Sequence, residues 1–132
     1  FTGSGRPDIT SVIDFSITTS GDIYMLTDTG VVARFRGGQQ QDFAFTTFPP
    51  NNSMDAPRAM FLNTSPIAPG LYFVEPGKRT IFETLMAGTF TNAYRAENDD
   101  LFASLTNVVA DTNQGIIYAL SGNSIFAFRR SQ

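Results

Sequence analysis

A glycine followed three residues later by an aromatic residue occurs three times in this chain, and this repeat limits the possible folds more than any other feature. The copies are GDIYMLTDTGVVARF from Gly21, GLYFVEPGKRTIFE from Gly70 and GIIYALSGNSIFAFR from Gly115. Each copy continues through a turn containing glycine into a second apolar run, so each is predicted to form a β-hairpin. Because the turn before each first glycine is polar, we expect all three glycines to adopt positive φ. The aromatic residues of the repeat are Tyr24, Phe73 and Tyr118.

Further apolar stretches flank the three predicted hairpins. SVIDFSITTS from Ser11, PRAMFLNTS from Pro57 and TNVVADTNQ from Thr106 each precede a hairpin. QDFAFTTF and TFTNAYR follow the first two hairpins, and their alternation of apolar and polar residues predicts outer strands. The chain ends at SIFAFRRSQ without a corresponding segment. The sequence therefore predicts three units of four strands, with the last unit one strand short.

A unit of four short up-and-down strands that recurs at intervals of about 45–50 residues is typical of β-propeller blades. We predict an all-β fold, a single propeller segment over residues 1–132 with approximate blades at 8–48, 57–95 and 104–132. Propellers close with about four to eight blades, so three blades leave two apolar faces open. Further blades of a longer parent chain, or a second copy in a homodimer, would complete the ring. A self-sufficient monomer would need a different fold.

The stretch FTGSGRPDITSVIDFSITTSGDIYMLTDTGVVARF resembles a blade of the NHL-like six-bladed propellers, whose units have the form F-x-G-x-G-x-P, an inner strand, G-x-I-Y-V, a turn and a final apolar strand. This resemblance implies that the chain is the C-terminal half of a larger ring, with Phe1-Thr2-Gly3 as the end of an outer strand. It also implies a sensor or interaction module at the bacterial cell surface or in the periplasm. The matching residues are Phe1, Gly3, Gly5, Pro7, Gly21, Ile23, Tyr24 and Phe35.

Composition excludes several classes of function. The chain has no Cys and no His, which removes thiolate chemistry and the commonest general base and transition-metal ligand. A net charge of -3 without long basic blocks gives no footprint for nucleic acid. No apolar run approaches the roughly 20 residues that a membrane-spanning helix needs, so no membrane insertion is predicted. The predicted cofactor set is empty.

Polar residues on the predicted inner strands are candidates for lining a central channel. Some propellers of similar blade type are lactone hydrolases that hold a divalent metal in this channel with Glu, Asn and Asp, so part of a metal-dependent hydrolase is one alternative function. The spacing of the candidates does not distinguish metal ligands from ordinary polar lining, and no catalytic or metal-binding residue is predicted. A structural assembly subunit is a second alternative. The candidates are Asp14, Arg58, Asn63 and Asn107.

Two acidic segments resemble calcium-binding loops only superficially. Asp99 and Asp100 lack the regular spacing of such a loop, and they are predicted to be solvated between the second and third units. Asp111 opens the segment DTNQG, but no glutamate follows at the required distance. We predict a turn in which Asp111 and Asn113 bond the backbone.

The segment FPPNNSMDAP, residues 48–57, is the best candidate for a recognition loop. Consecutive prolines stiffen it, and the following polar residues offer donors and acceptors at one face of a ring. An ordinary loop insertion is the alternative interpretation. The sequence thus favours a non-catalytic binding or scaffolding module that presents rigid loops to a protein or ligand. The candidate recognition residues are Pro49, Pro50, Asn51, Asn52 and Asp55.

Overall fold

The computed structural model describes residues 9–131, and these residues form eleven β-strands in three antiparallel sheets with no α-helix among them. Phe1, Gly3, Gly5 and Pro7, which carry part of the resemblance to a propeller blade, lie outside the described residues. Within each sheet the strands follow one another in chain order. The all-β prediction is therefore confirmed, with sheets of four, four and three strands that do not close on themselves, which is consistent with part of a propeller.

Each sheet falls within one of the three predicted units. The first contains β1 (Val12–Ile17), β2 (Asp22–Thr27), β3 (Val32–Arg36) and β4 (Gln39–Gln41). The second contains β5 (Ala59–Asn63), β6 (Gly70–Glu75), β7 (Thr80–Thr84) and β8 (Phe90–Tyr94). The third contains β9 (Leu105–Asp111), β10 (Ile116–Ser121) and β11 (Ser124–Arg129). Short 3-10 helices cover Ile9–Ser11, Pro50–Asn52, Pro76–Lys78 and Asp99–Phe102.

The prediction that QDFAFTTF forms an outer strand is wrong for most of this segment. Strand β4 spans only Gln39–Gln41, and beyond it the chain leaves the first sheet. Phe43, Phe45 and Phe48 then pack between the first and second sheets, where each ring meets the next edge-on with centroids 5.2 and 5.8 Å apart. These rings are partly buried between the two sheets, which stabilises this path because the hydrophobic effect scales with the apolar area removed from water.

The three sheets are stacked in chain order, and the second sheet lies between the other two. We call the side of a sheet that faces the next sheet its forward face, and the opposite side its rear face. Tyr24 and Leu26 on the forward face of the first sheet pack against Phe73 and Phe82 on the rear face of the second. A second cluster joins the forward face of the second sheet to the rear face of the third. The first strands of consecutive sheets are neighbours: β1 lies next to β5, and β5 lies next to β9.

Gly70 is required for a reason that differs from the predicted one. Gly21 and Gly115 have φ of 93° and 69°, as expected for the polar turns that precede them. Gly70 lies within β6 and has no positive φ; instead, a β-carbon on it would overlap the carbonyl oxygen of Thr84 on β7. The residue therefore permits close approach of two backbones rather than an unusual dihedral angle.

Gly70→Ala is expected to lower the free energy of unfolding by about 1–3 kcal/mol, because the strand must shift to relieve the overlap. The matched control is Gly77→Ala, since Gly77 lacks positive φ and has open space where a β-carbon would lie. That change is expected to alter stability by less than about 0.5 kcal/mol. Urea denaturation of both variants measures the difference, and equal stabilities would contradict the close approach.

Candidate functional site

The forward face of the third sheet exposes several large apolar side chains. Val109 on β9 is 50% exposed, Tyr118 on β10 is 37% exposed and Ile125 on β11 is 71% exposed. Tyr118 pairs with Val109 across the sheet, and Leu120, two residues further along β10, pairs with Ile125. Because side chains alternate between the faces of a strand, these residues share one face. The opposite face of the same strands is packed against the second sheet. An exposed apolar face of this kind is typical of an interaction surface.

Strand β1 exposes apolar side chains on the rear face of the first sheet. Phe15 is 62% exposed and Ile17 is 58% exposed. Both pair across the sheet with residues of β2, Phe15 with Met25 and Ile17 with Ile23. Met25 is buried with Ala33 and Phe35 in a small cluster, so the exposed part of this face is strand β1.

The register of the strands identifies equivalent tyrosines in the three sheets. Tyr24, Tyr72 and Tyr118 each lie on the second strand of their sheet and on its forward face. The hydroxyl of Tyr24 donates to the carbonyl oxygen of Met86, in the turn between β7 and β8 of the second sheet, at 3.0 Å. The hydroxyl of Tyr72 accepts from Nε of Arg130, beyond the end of the third sheet, at 3.1 Å. Each of these two tyrosines thus reaches the next sheet along the chain.

The structural equivalence of these tyrosines shifts the alignment of the second unit by one residue relative to the alignment predicted from the sequence. The sequence aligns Phe73 with Tyr24 and Tyr118, but Phe73 faces rearward and packs against the first sheet. Tyr72 is the true counterpart, since it packs against the third sheet. The aligned segments are IYML, LYFV and IYAL, which begin at Ile23, Leu71 and Ile117.

Two of the predicted channel residues connect neighbouring sheets. Oδ2 of Asp14 on β1 accepts a hydrogen bond from the backbone N–H of Met60 on β5 at 3.0 Å. Asn63, at the end of β5, is buried and donates to the carbonyl oxygen of Ala68 at 2.9 Å and to the hydroxyl of Thr112 at 3.0 Å. Both side chains satisfy backbone or hydroxyl groups of the protein, which links the inner strands of adjacent sheets.

The other two predicted channel residues lie apart from these links. Arg58 is exposed just before β5, and its guanidinium donates to the carbonyl oxygen of Asp28 at 3.1 Å. Asn107 is exposed on β9 and pairs with Leu120, at the position that Asp14 occupies opposite Leu26 in the first sheet. Among residues 9–131, no group of three or more acidic side chains is placed to bind a metal ion.

The candidate recognition loop is anchored at its base and exposed at its tip. Nζ of Lys78 lies 2.8 Å from Oδ2 of Asp55 and donates to the carbonyl oxygen of Ser53 at 2.5 Å. The backbone N–H of Asp55 donates to Oε1 of buried Glu75 at 2.8 Å. Pro49 is partly buried, and Pro50 begins a 3-10 helix in which Pro50 and Asn51 are exposed and Asn52 is partly buried. These contacts attach Ser53 and Asp55, in the second half of the loop, to residues at the end of β6 and in the turn that follows it.

The two acidic segments form local structure, largely as expected. Asp99 and Asp100 are exposed and lie 3.8 and 3.9 Å from the guanidinium of Arg79. Oδ1 of Asp111 accepts from the backbone N–H of Gln114 at 3.3 Å, which confirms the predicted turn. Asn113 differs from the prediction, because its side-chain oxygen accepts from the hydroxyl of Ser65 rather than bonding the backbone.

The first sheet also contains a charge cluster around a buried aspartate that the sequence motifs do not predict. Asp22 is almost completely buried, and its carboxylate accepts from Nε of Arg34 at 2.8 Å and from Nε of Arg36. The guanidinium of Arg34 also lies 5.5 Å from the ring centre of Tyr24. The hydrogen bonds from Arg36 lower the pKa of Asp22, and those from Arg34 lower it further, against the opposing effect of burial.

Asp22→Asn is expected to cost stability at pH 7 but progressively less on acidification. The carboxylate has a lowered pKa in the folded protein, so its contribution is complete above the ordinary aspartate pKa of about 3.9 and is lost as the pH falls through the folded value. The difference between wild type and variant should therefore shrink below about pH 4. Denaturant midpoints measured from pH 7 to pH 3 give the result, and a constant difference would contradict it.

A second buried cluster joins the second and third sheets. Oε2 of Glu83 on β7 accepts from Nε and a terminal nitrogen of Arg130 at 2.9 and 2.6 Å, and Oε1 accepts from the hydroxyl of Tyr94 at 2.6 Å. Burial, and then the nearby Glu83 carboxylate, raise the pKa of Tyr72 to about 12. Burial and the bond to Glu83 also raise the pKa of Tyr94, so both phenols stay protonated at neutral pH.

A groove of about 360 Å³ lies between β11 and the connection from β8 to β9. Phe102, Phe126 and Phe128 supply its apolar walls. Within residues 9–131, β11 pairs only with β10 and forms an edge of the third sheet. The sheet is thus one strand short of the other two, as predicted.

No protein-family model matches the sequence, and no related protein was found among the curated ones. The resemblance to NHL-like propellers accordingly rests on the sequence repeat alone and stays a prediction. Between residues 9 and 131, no helix is both long and apolar enough to cross a membrane.

Proposed function

We propose that this chain is a non-catalytic binding and scaffolding module of the β-propeller type, whose two end faces are covered by further sheets. The observation that carries the proposal is the exposure of Phe15, Val109 and Tyr118 on the outer sides of a stack whose internal faces are apolar and buried. Exposed apolar side chains that lie together on a sheet mark an interaction surface. Blades completed in this way would form a ring of the kind that the repeat predicts.

The loop at residues 48–57 is the proposed recognition element of this module. Its attachment to Lys78 and Glu75 supports this role, because a loop held by a rigid scaffold binds a partner without a large ordering cost. The contacts of Asp14 and Asn63 favour a structural over a catalytic role for these residues, since their polar atoms bond the protein itself.

Hydroxyl-radical footprinting of the protein isolated under native conditions tests whether the end faces are covered. We expect Phe15 and Tyr118 to be oxidised nearly as slowly as the buried Tyr72. Leu85, which is exposed in a turn of the second sheet, serves as the control and is expected to react rapidly. If Phe15 and Tyr118 react as fast as Leu85, no sheet covers these faces and the proposal is wrong.

A further inference from the structure

We propose that a second copy of this chain covers the forward face of the third sheet with the rear side of its own strand β1, so that two copies close a ring of six sheets. This inference rests on the proposed function and names the partner at the exposed faces. Its basis is that the molecule already contains two contacts between the forward face of one sheet and the rear face of the next. One joins the first and second sheets, which also hold Phe43, Phe45 and Phe48 between them, and the other joins the second and third.

The inner strands make the closest approach in both internal contacts. Strand β5 lies beside β1, and β9 lies beside β5 and β6. In the first contact, Tyr24 on the forward face belongs to the same apolar cluster as Met60 of the next sheet. In the second, Tyr72 and Val108 share a cluster in the same way. In both contacts, a tyrosine on the second strand of one sheet and an apolar residue on the first strand of the next are buried in one cluster.

The chain presents both halves of a third such contact. Tyr118 occupies the position of Tyr24 and Tyr72, and its hydroxyl has no hydrogen-bond partner within residues 9–131. Phe15 occupies the position of Met60 and Val108, because each of the three pairs with the residue that follows the equivalent tyrosine position of its own sheet. The pairs are Phe15 with Met25, Met60 with Phe73 and Val108 with Ala119. Tyr118 and Phe15 are exposed, whereas their internal counterparts are buried.

The two halves lie at opposite ends of the stack formed by residues 9–131, so they do not meet within that stack. Two molecules related by a two-fold axis bring each forward face against the other molecule's β1, so both contacts form and no apolar end face remains. The resulting six sheets fall within the range of about four to eight for closed propellers. The exposed residues of β1 on this face, Phe15 and Ile17, are apolar, as are Val109 and Tyr118, which they would oppose. Arg129 and Asp111 share the forward face at the end of the strands, where both pair with Ile116.

Charge-swapped variants test the pairing. Tyr118→Lys and Phe15→Glu each bury an unpaired charge in the proposed contact, and each alone is expected to weaken self-association roughly 100-fold in sedimentation equilibrium. An equimolar mixture is expected to restore a species of two chains, because the lysine of one variant then faces the glutamate of the other. Leu85→Lys, at an exposed leucine outside both faces, should associate like the wild type.

Circular dichroism of each variant shows whether it is folded, which both should be, since the replaced side chains are exposed in the single molecule. A wild-type chain that stays monomeric at all concentrations would overturn the inference. So would a Phe15→Glu variant that still dimerises, because third sheets would then pair with each other. If the wild type is monomeric while footprinting finds Phe15 and Tyr118 covered in the native isolate, the second copy is the wrong partner and the proposed function stands.

Discussion

Replacing Phe73 with alanine is expected to lower the free energy of unfolding by about 3–5 kcal/mol, the range found for deleting a buried phenylalanine ring. The ring is fully buried on the rear face of the second sheet and meets Phe45 edge-on, with centroids 5.2 Å apart. It belongs to the apolar cluster that joins the first and second sheets, so its loss leaves a cavity between two sheets rather than at the surface. Domains are stable by about 5–15 kcal/mol, so this one change removes a large share.

Urea denaturation followed by circular dichroism measures this loss. Leu85→Ala is the control, because Leu85 is exposed and its removal is expected to cost less than about 0.5 kcal/mol. Phe45→Ala tests the packing of the segment after β4, and we expect a loss of about 2 kcal/mol because this ring is only partly buried. If Phe45→Ala has no effect while Phe73→Ala destabilises, the segment does not pack between the sheets.

The hairpins could be predicted from the sequence because their signals are local. Gly21 and Gly115 follow polar turn residues and have the expected positive φ. The apolar runs on either side of each turn form paired strands, as the short distance along the chain requires. Local turn chemistry and strand propensity therefore determine most of the eleven strands.

The alternation of apolar and polar residues could not reveal where the segment after β4 packs. Phe43 and Phe45 alternate with polar residues in the same way on an outer strand and on an irregular chain that crosses between two sheets. The same limit explains the misaligned repeat, since Tyr72 and Phe73 are adjacent aromatic residues that point to opposite sides of β6. A shift of one residue reverses the face of every side chain, and only contacts distant in sequence decide the register.

The two buried charge clusters differ in how far the sequence could have indicated them. Arg34 and Arg36 alternate around Phe35, and the hairpin register places them opposite Tyr24 and Asp22, so this cluster had a local signal. Glu83 and Arg130 lie far apart in sequence and meet only because the third sheet stacks on the second. No spacing rule connects such a pair.

Glu83→Ala is expected to destabilise the protein by about 3 kcal/mol, because it removes one partner of a buried ion pair. The carboxylate is almost completely buried. Its loss removes the acceptor of the Tyr94 hydroxyl and leaves the guanidinium of Arg130 with only the hydroxyl of Tyr72 from this cluster. Arg130 keeps a 20% exposed side chain, so water can partly replace the lost bonds, and the expected cost lies at the lower end of the range for buried pairs. Asp99→Ala is the control, since this aspartate is well exposed beside Arg79, and its loss should cost less than about 1 kcal/mol.

A double-mutant cycle with Arg130→Ala separates the pair from the individual side chains. If Glu83 and Arg130 act together, the second substitution should cost much less once the first has been made, because the charge it would leave unpaired is already gone. Independent effects that simply add would show that the pair does not join the second and third sheets. Hydrogen exchange of β11 gives a second measure, since loss of the Glu83 bond should increase the opening of this strand, which Arg130 follows directly, more than that of β2 in the first sheet.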